Sequence, residues 1–551
     1  MLRTAQKLPI PNYSMLSPSD AQGNVFSPGA QNKIRFHIDG SQFPMISPHE
    51  SYLTFNFQVK DANTKVQFNP NSNAGAALVV KNLKIFLNNS LCEEISEYNQ
   101  LAHIRADYAE SPDRKLIGGV YKHNLGSQEL LSSGGAGTDL VQNVVKCVLQ
   151  LDLSGIWGSR TAFSVMAFES IQVEIELDDA YKVLAKQKPH NEVGCENVTT
   201  DGAGGFTELV IKPVFNPYDQ AGAAVRIQDP QYNLIPLPDN NNAAPNTLSL
   251  ESCPFVVGER VNIAGKRAAD NAAVNYNDQE ITVIAYDNSG SKPKIKLTFA
   301  NIATGNNNDT LYDLTVSGSL GNDGNAYKAD YQITNPEFAI RTLEVPPQFA
   351  SAMASRVAAG AFSFDLHTFT NYRQTISAGL ESYTVSVPSR STRAKSILAF
   401  PRKTGQGSSF IKGGWDWNGN LNFIKDYQWQ YGNLRRPDRP VQLKNMCRVE
   451  QYQSQEHIVE IDKAIGACPT MSTADLRNYA KNFIIGRSSS AYGSSEDFSQ
   501  YSEILIYINK FANEDGGDGG AVTQESIQWN NFVANTRRLI ATPSGIPEII
   551  Y

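Results

Sequence analysis

At 551 residues, with 41% hydrophobic and only 19% charged positions, the chain is longer than one hydrophobic core usually serves and has the composition of a multi-domain globular protein. Its formal net charge of −7 and isoelectric point near 5.6 lack the basic excess that neutralising phosphates requires, which excludes broad nucleic-acid binding as its task. The six cysteines, Cys92, Cys147, Cys195, Cys253, Cys447 and Cys468, stand singly without zinc-ligand spacing, as expected of thiols in a reducing compartment.

Residues 1–30 interleave Pro, Ser, Gly and Asn with few apolar anchors and predict an extended amino-terminal arm. No signal-peptide core is expected there, and no later run is long and apolar enough to cross a bilayer. Strand patterns follow at once. Ile34, Phe36 and Ile38 alternate with Arg35, His37 and Asp39, and Leu53, Phe55, Phe57 and Val59 alternate with Thr54, Asn56 and Gln58.

The stretch LKIFLNNSLCEEISEYNQLAHIRADYAE (83–110) predicts a strand running into a helix. Ser90 and Glu93 fit a capping box, and Glu94 and Glu97 fall in the first turns, where the helix dipole favours acids. At helical spacing Leu91, Ile95, Tyr98, Leu101, Ala102 and Tyr108 share one side, with Ser96, Gln100, His103 and Asp107 opposite. His103 and Asp107 are expected to form a solvated pair, because Gln100 stands where a metal-binding helix needs a carboxylate. Arg105 falls inside the apolar arc, so it is expected to reach a carboxylate or carbonyl at a domain or subunit contact.

The two-residue period returns at Cys147, Leu149, Leu151 and Leu153, at Val173, Ile175 and Leu177, at Phe362, Phe364 and Leu366, and at Ile504, Ile506 and Ile508. Antiparallel sheets packed face to face accommodate so many half-buried strands, so the fold class is all-β with a few short helices. Between 181 and 328, Asn- and Gly-rich runs flank FVVGERVNIAG, QEITVIAY and KIKLTFA, which predict an inserted small β-domain with DNSGSK as a hairpin turn. PPQFASAMASRVAAG (346–360) predicts a helix linking two halves, whose strand patterns echo each other at 33–90 and 362–402.

Chemistry is sparse. Glu174 and Glu176 share one strand face at a separation of about 7 Å, inside the range of an inverting glycosidase pair, but plain alternation predicts such a pair on any wet strand face. Trp415, Trp417, Tyr427, Trp429 and Tyr431 are expected to anchor a core or subunit interface, with stacking on sugars as the rival use. NLRRPDRP (433–440) is expected to pair with carboxylates across an interface. GGAGTD and GQGSSF lack the residues of phosphate-binding loops. No catalytic, cofactor-binding or metal-ligating residue is assigned, no cofactor is expected, and the chain is expected not to be an enzyme.

The segments NKIRFHIDGSQF, SYLTFNFQV, VVKNLKIFLNNSLCEEISEYNQL, MAFESIQVEIELDDA and YQITNPEFAIRTLEVPPQFASAM, in that order, resemble the double jelly-roll major capsid proteins of tailless icosahedral DNA viruses, of the polinton-like and virophage type. The likeness covers most of 31–180 and 328–400. It implies two side-by-side eight-stranded jelly rolls. The first spans 31–345, interrupted by the inserted β-rich domain at 181–328, and the second spans 361–551 beyond the linking helix. The 83–108 unit would be the D strand of the first roll with its following helix. Three copies would form a pseudo-hexagonal capsomer of an icosahedral virion shell, made inside the host cell, with outer loops as towers. The implied partners are the chain itself, neighbouring capsomers, minor capsid or penton proteins and, through the outer loops, a host surface, without sequence-specific nucleic-acid binding. The 181–328 region is longer than that family's usual connection. The rival readings are a carbohydrate-binding or carbohydrate-active β-sandwich protein and a minor virion or spike protein.

Overall fold

The computed structural model describes residues 12–19, 24–61, 68–70, 74–106, 144–186, 193–211, 260–287, 294–303, 308–318, 329–377, 379–403, 424–443, 455–468, 471, 484–489, 494–510 and 526–550. Alternation of apolar and polar residues becomes strand wherever it is long. Ile34, Phe36 and Ile38 are buried in one strand, and Leu53, Phe55, Phe57 and Val59 in the next.

In chain order the first half forms β1 (Asn12–Leu16), β2 (Val25–Phe26), β3 (Lys33–Asp39), β4 (Tyr52–Asp61), β5 (Val80–Leu87), β6 (Ser90–Ser96), helix α1 (Tyr98–Ile104), β7 (Val144–Leu149) and β8 (Ser170–Leu177). The chain then leaves for a separate set: β9 (Val193–Gly194), β10 (Val198–Thr199), β11 (Gly205–Ile211), β12 (Arg260–Arg267), β13 (Ala273–Asp287), β14 (Lys294–Ala303) and β15 (Thr310–Gly318). It returns as β16 (Ala329–Leu343), and α2 (Pro347–Ala358) leads to the second half. There follow β17 (Ser363–Ile376), β18 (Ser382–Ser386), β19 (Ala394–Lys403), β20 (Ile424–Tyr431), β21 (Leu434–Gln442), α3 (Gln455–Gly466), β22 (Ile485–Ser488), β23 (Ile504–Lys510), β24 (Ile527–Ile540) and β25 (Glu548–Ile550).

Let the eight strands of each half be lettered B to I in chain order, with β1 and β2 together as the first B. One sheet of the first half then runs B-I-D-G (β1/β2, β16, β4, β7) and the other C-H-E-F (β3, β8, β5, β6). The second half repeats both orders: β17, β24, β19, β22 and β18, β23, β20, β21. All neighbours are antiparallel. This is the jelly-roll order twice over, so the chain is an all-β double jelly roll.

The excursion between H and I of the first roll closes on itself. Strand β13 pairs with β12 through its first half and with β14 through its second. A bridge between Cys195 and Ile211 joins the far edges. Its core, including Phe206, Ile263, Leu297 and Val316, is separate from the cluster that fills the rolls. QEITVIAY and KIKLTFA are paired strands as expected, and the DNSGSK turn falls largely outside the described residues.

Three expectations are corrected. Residues 12–16 and 25–26, expected in an arm, are strand B, laddered onto β16 with Leu16 and Phe26 turned to the core. Composition missed this because the partner lies about three hundred residues away. Residues 90–96 are strand, not helix, so Ser90 and Glu93 form no capping box. Asn88 and Asn89 both take left-handed φ, 43° and 62°, which makes a two-residue hairpin turn of the kind whose twist matches its strands. Finally, 80–87 is the E strand of its roll rather than D, and the helix follows F. The echo between 33–90 and 362–402 therefore aligns C-D-E with B-C-D, one strand out of register.

Candidate functional site

The stretch from Cys92 to Arg105 is where the two rolls meet. Strand β6 is the F edge of the first roll, and every residue of α1 is buried. Across the seam lie strands B, I and D of the second roll. The Thr368 hydroxyl donates to Glu93 at 2.5 Å, and Asn371 Nδ2 to the Ser96 carbonyl at 3.3 Å. Arg373 donates to Glu97 at 3.2 Å, Asn530 Nδ2 to Gln100 Oε1 at 2.6 Å, and Arg537 to the Cys92 carbonyl at 3.1 Å. Apolar pairs flank these bonds: Phe163 meets Phe364 edge to face at 5.0 Å, and His103 meets Phe400 at 6.1 Å. One continuous buried cluster runs through both rolls. The seam is thus a polar ladder set in an apolar joint, buried at Glu93, Gln100 and Asn530 and open to solvent at Arg373, and at the buried rungs every unmade hydrogen bond costs more than on a wet surface.

Glu93 is fully buried. Besides Thr368 it accepts from Ser154 Oγ at 2.6 Å and from the Gly155 amide at 2.7 Å, and Ser154 in turn takes the Trp157 amide proton at 3.2 Å. Burial pushes its carboxyl above the ordinary value, while the three donors and the Arg537 guanidinium pull the other way. Glu97 holds a left-handed backbone at the start of α1, and its carboxylate takes Gln100 at 3.0 Å as well as Arg373, with Arg402 at 4.0 Å. Glu93, Glu97 and Gln100 come from one roll and draw donors from both, so neither roll alone satisfies them.

The other expectations for this stretch resolve individually. Glu94 pairs across the hairpin with Lys84 at 3.3 Å. His103 is buried rather than solvated, and Asp107 and Tyr108 lie outside the described residues. Arg105 does reach a carboxylate, gripping Asp152 at 2.5 and 2.7 Å, but inside the first roll rather than across a domain contact. The helical wheel failed because the residues before Glu97 are laid out as a strand, which buries Glu93 beside Cys92 and leaves Leu91 exposed. The missed signal was Asn-Asn between two apolar runs, a hairpin cue.

Glu174 and Glu176 do share a face, but each is committed to fixed partners. Glu174 takes Arg35 Nε at 2.7 Å and Lys33 at 3.5 Å, and Glu176 takes Asn82 at 2.8 Å and Lys81 at 3.4 Å. Partial burial would raise the Glu176 carboxyl, but the bond from Asn82 and the Lys81 charge hold it below its ordinary value, the opposite of a general acid. Tyr427, Trp429 and Tyr431 are core residues of the second roll, and Trp415 and Trp417 lie outside the described residues. Arg436 pairs with Glu496 and Arg439 with Glu456, within the second roll rather than across an interface. Among the described residues, no cluster of three or more His, Cys, Asp or Glu is placed to hold a metal ion, and no helix is long and apolar enough to cross a membrane.

No protein-family model and no curated protein matches the sequence. Among solved structures the chain is similar to the Faustovirus major capsid protein, at 9% identity over 98% of this chain and 92% of that one, with a TM-score of 0.48. It is similar to PBCV-1 VP54, as fitted into a reconstruction of the virophage Sputnik, at 9% identity over 99% and 98%, TM-score 0.48. It is also similar to the mavirus major capsid protein, at 9% identity over 100% and 90%, TM-score 0.37.

Proposed function

We propose that this chain is a major capsid protein, the subunit of a trimeric, pseudo-hexagonal capsomer in an icosahedral virion shell. The observation that carries the reading is the doubled jelly roll locked by a buried seam, which makes two similar shell-building units behave as one rigid block. Strand directions support an orientation. Successive strands alternate, so the D–E, F–G and H–I connections leave one end of each roll, while the E–F turns at the other end are only 88–89 and 432–433. The long F–G and H–I connections of the first roll and the F–G connection of the second would then leave on one side of the shell, where the parts beyond the buried helix α1 would form towers.

A shell subunit needs broad contact faces and no catalytic centre, so the fixed ion pairs around Glu174 and Glu176 suit it better than hydrolysis does. Its acidity favours leaving genome contact to other virion components. The partners in this reading are further copies, minor capsid or penton proteins and, through the towers, a host surface. The test is native mass with imaging. Three chains of 60.5 kDa in a particle of hexagonal outline are expected, and a monomer at assembly concentrations refutes the reading.

The domain division belongs to the same proposal, with the barrel at 193–318 as an outer decoration of the first roll. Its separate core supports that placement. Replacing 193–318 by a short Gly/Ser linker is expected to leave the native mass equal to that of the same number of shortened chains. Loss of assembly on deletion would instead place the barrel in the subunit contact.

A further inference from the structure

We infer that Lys182 and Asn99 join through an isopeptide bond, with Asp178 carrying the protons between them, so that the first roll closes a covalent staple of its own making. The inference rests on the first roll alone and holds whether or not the chain builds a shell.

The D–E, F–G and H–I connections leave the same end of the first roll and bring these residues together. Asp178 directly follows strand β8, its amide donates to the Val79 carbonyl at 3.0 Å just ahead of β5, and Asn99 stands in the first turn of α1. Both side chains are fully buried. The Asp178 carboxylate takes Lys182 Nζ on one oxygen at 3.0 Å and Asn99 Nδ2 on the other at 2.7 Å. The Asp179 amide donates to the first of these oxygens at 2.9 Å and fixes the orientation of the carboxylate. Tyr331 of β16, stacked on Phe57, donates to the Asp178 carbonyl at 2.6 Å and walls the site on that side.

An amine and a carboxamide on the two oxygens of one buried carboxylate are placed for amide exchange, because nucleophile and leaving nitrogen share a proton carrier. The electrophile is prepared as well. The Gln100 amide donates to Asn99 Oδ1 at 2.9 Å, where negative charge develops when Cγ is attacked. The flexible lysine stem lets the amine swing from Asp178 to Asn99. Nζ then bonds to Cγ, and the bond from Cγ to Nδ2 breaks. Asp178 passes two protons from Nζ to the departing nitrogen, which leaves as ammonium, so charge is conserved and nothing is oxidised or reduced.

Burial sets this pair apart from the surface ones. The Lys182 side chain is 13% exposed and its acid 0%, whereas in Lys296–Glu208 the values are 39% and 50%. Two charges kept in so dry a site lose to desolvation much of what their attraction returns, and passing the lysine proton to Asp178 removes both charges. Burial pulls the Lys182 amine down, but Asp178 and Glu97 hold it above its ordinary value, so the resting lysine is charged and each attack waits on that transfer. The bond would tie the start of the H–I connection to α1, the helix that carries Gln100 into the seam.

Mass spectrometry of the full chain, denatured after folding, tests the bond. The wild type is expected to weigh one ammonia less than its sequence, and its protease digest to contain a branched peptide joining the segments of Asn99 and Lys182. Lys182→Arg keeps the cation and Asp178→Asn keeps the shape, and both are expected to show the full mass and two linear peptides, with circular dichroism reporting that they fold. A wild-type chain of full mass, with both segments linear after days in the folded state, refutes the bond and leaves a plain ion pair. A branched peptide lighter by water rather than ammonia puts the bond on an acid and refutes the choice of Asn99. A bond that forms in folded Asp178→Asn removes Asp178 from the reaction. Each readout is independent of native mass, so it stands apart from the test of the shell reading.

Discussion

Replacing Glu93 by alanine is expected to lower the unfolding free energy by about 3–5 kcal/mol, the scale for removing one partner of a buried charged cluster. The loss is large because three donors, the Ser154 and Thr368 hydroxyls and the Gly155 amide, point into a site without solvent. Thr368 belongs to the second roll, so the damage is to the joint as much as to the fold. Wild-type protein should unfold both rolls in one denaturant transition, while Glu93→Ala should begin to separate them into two. Glu93→Gln keeps an acceptor for the Gly155 amide and should cost roughly half as much, or less. An alanine variant with the wild-type midpoint would show that the three bonds contribute nothing net.

The same residue predicts a pH dependence with a definite sign. Its folded carboxyl is raised above the ordinary 4.5 by burial, so the native state binds its proton more tightly than the unfolded chain does. The resulting stabilisation is fully present below about pH 4.5 and is lost as pH rises through the higher folded value. Asp365 works against it. The bond from Arg538 holds that carboxyl below its ordinary value, so its contribution is present above the unfolded value and is lost as pH falls through the folded one. The clean measurement is therefore a difference: wild type minus Glu93→Gln should gain stability on acidification from neutral pH towards 4.5. A flat difference curve would mean that the donors fully offset burial.

Most strands were legible because each has one wet face, and period two survives wherever that holds. Ile34 to Ile38, Leu53 to Val59 and Ile504 to Ile508 are of this kind. The linking helix was legible from its prolines and its run of good helix formers, and α2 occupies 347–358 of the expected 346–360. The seam was not legible, for a physical reason. Where one sheet covers another the wet face disappears, and polar residues such as Asn530 and Glu93 are buried with partners hundreds of residues away. Leu91 and Ile95 continue the helical spacing of Tyr98 and Leu101 back into 90–96, and there the tertiary pairing with β5 overrode it. Arg105 was legible in part, since a cation in an apolar arc demands an acid and Asp152 supplies it, but within the first roll rather than at the expected domain or subunit contact.

Gly155→Ala is the second large effect expected, because this glycine of the first roll lies directly against strand β17 of the second. A β-carbon at 155 would lie 2.5 Å from Leu366 Cγ, 2.6 Å from its Cδ1 and 2.8 Å from the His367 carbonyl oxygen. A leucine tip can turn away. The carbonyl cannot, since His367 is held in the ladder opposite Thr536 on β24. Overpacking of this kind costs about 1–3 kcal/mol or more, and the strain falls on the same loop that offers the Gly155 amide to Glu93. Gly202→Ala, where an added β-carbon meets nothing within 4 Å, is the control and should leave the midpoint unchanged. Leu366→Ala should cost about 2–5 kcal/mol alone through the cavity it leaves. Combined with Gly155→Ala it should cost less than the two separately, because the new methyl occupies part of that cavity, with a coupling of about 0.5–3 kcal/mol. Strict additivity in that cycle would place Gly155 and Leu366 out of contact and remove the close approach on which the rigid two-roll block depends.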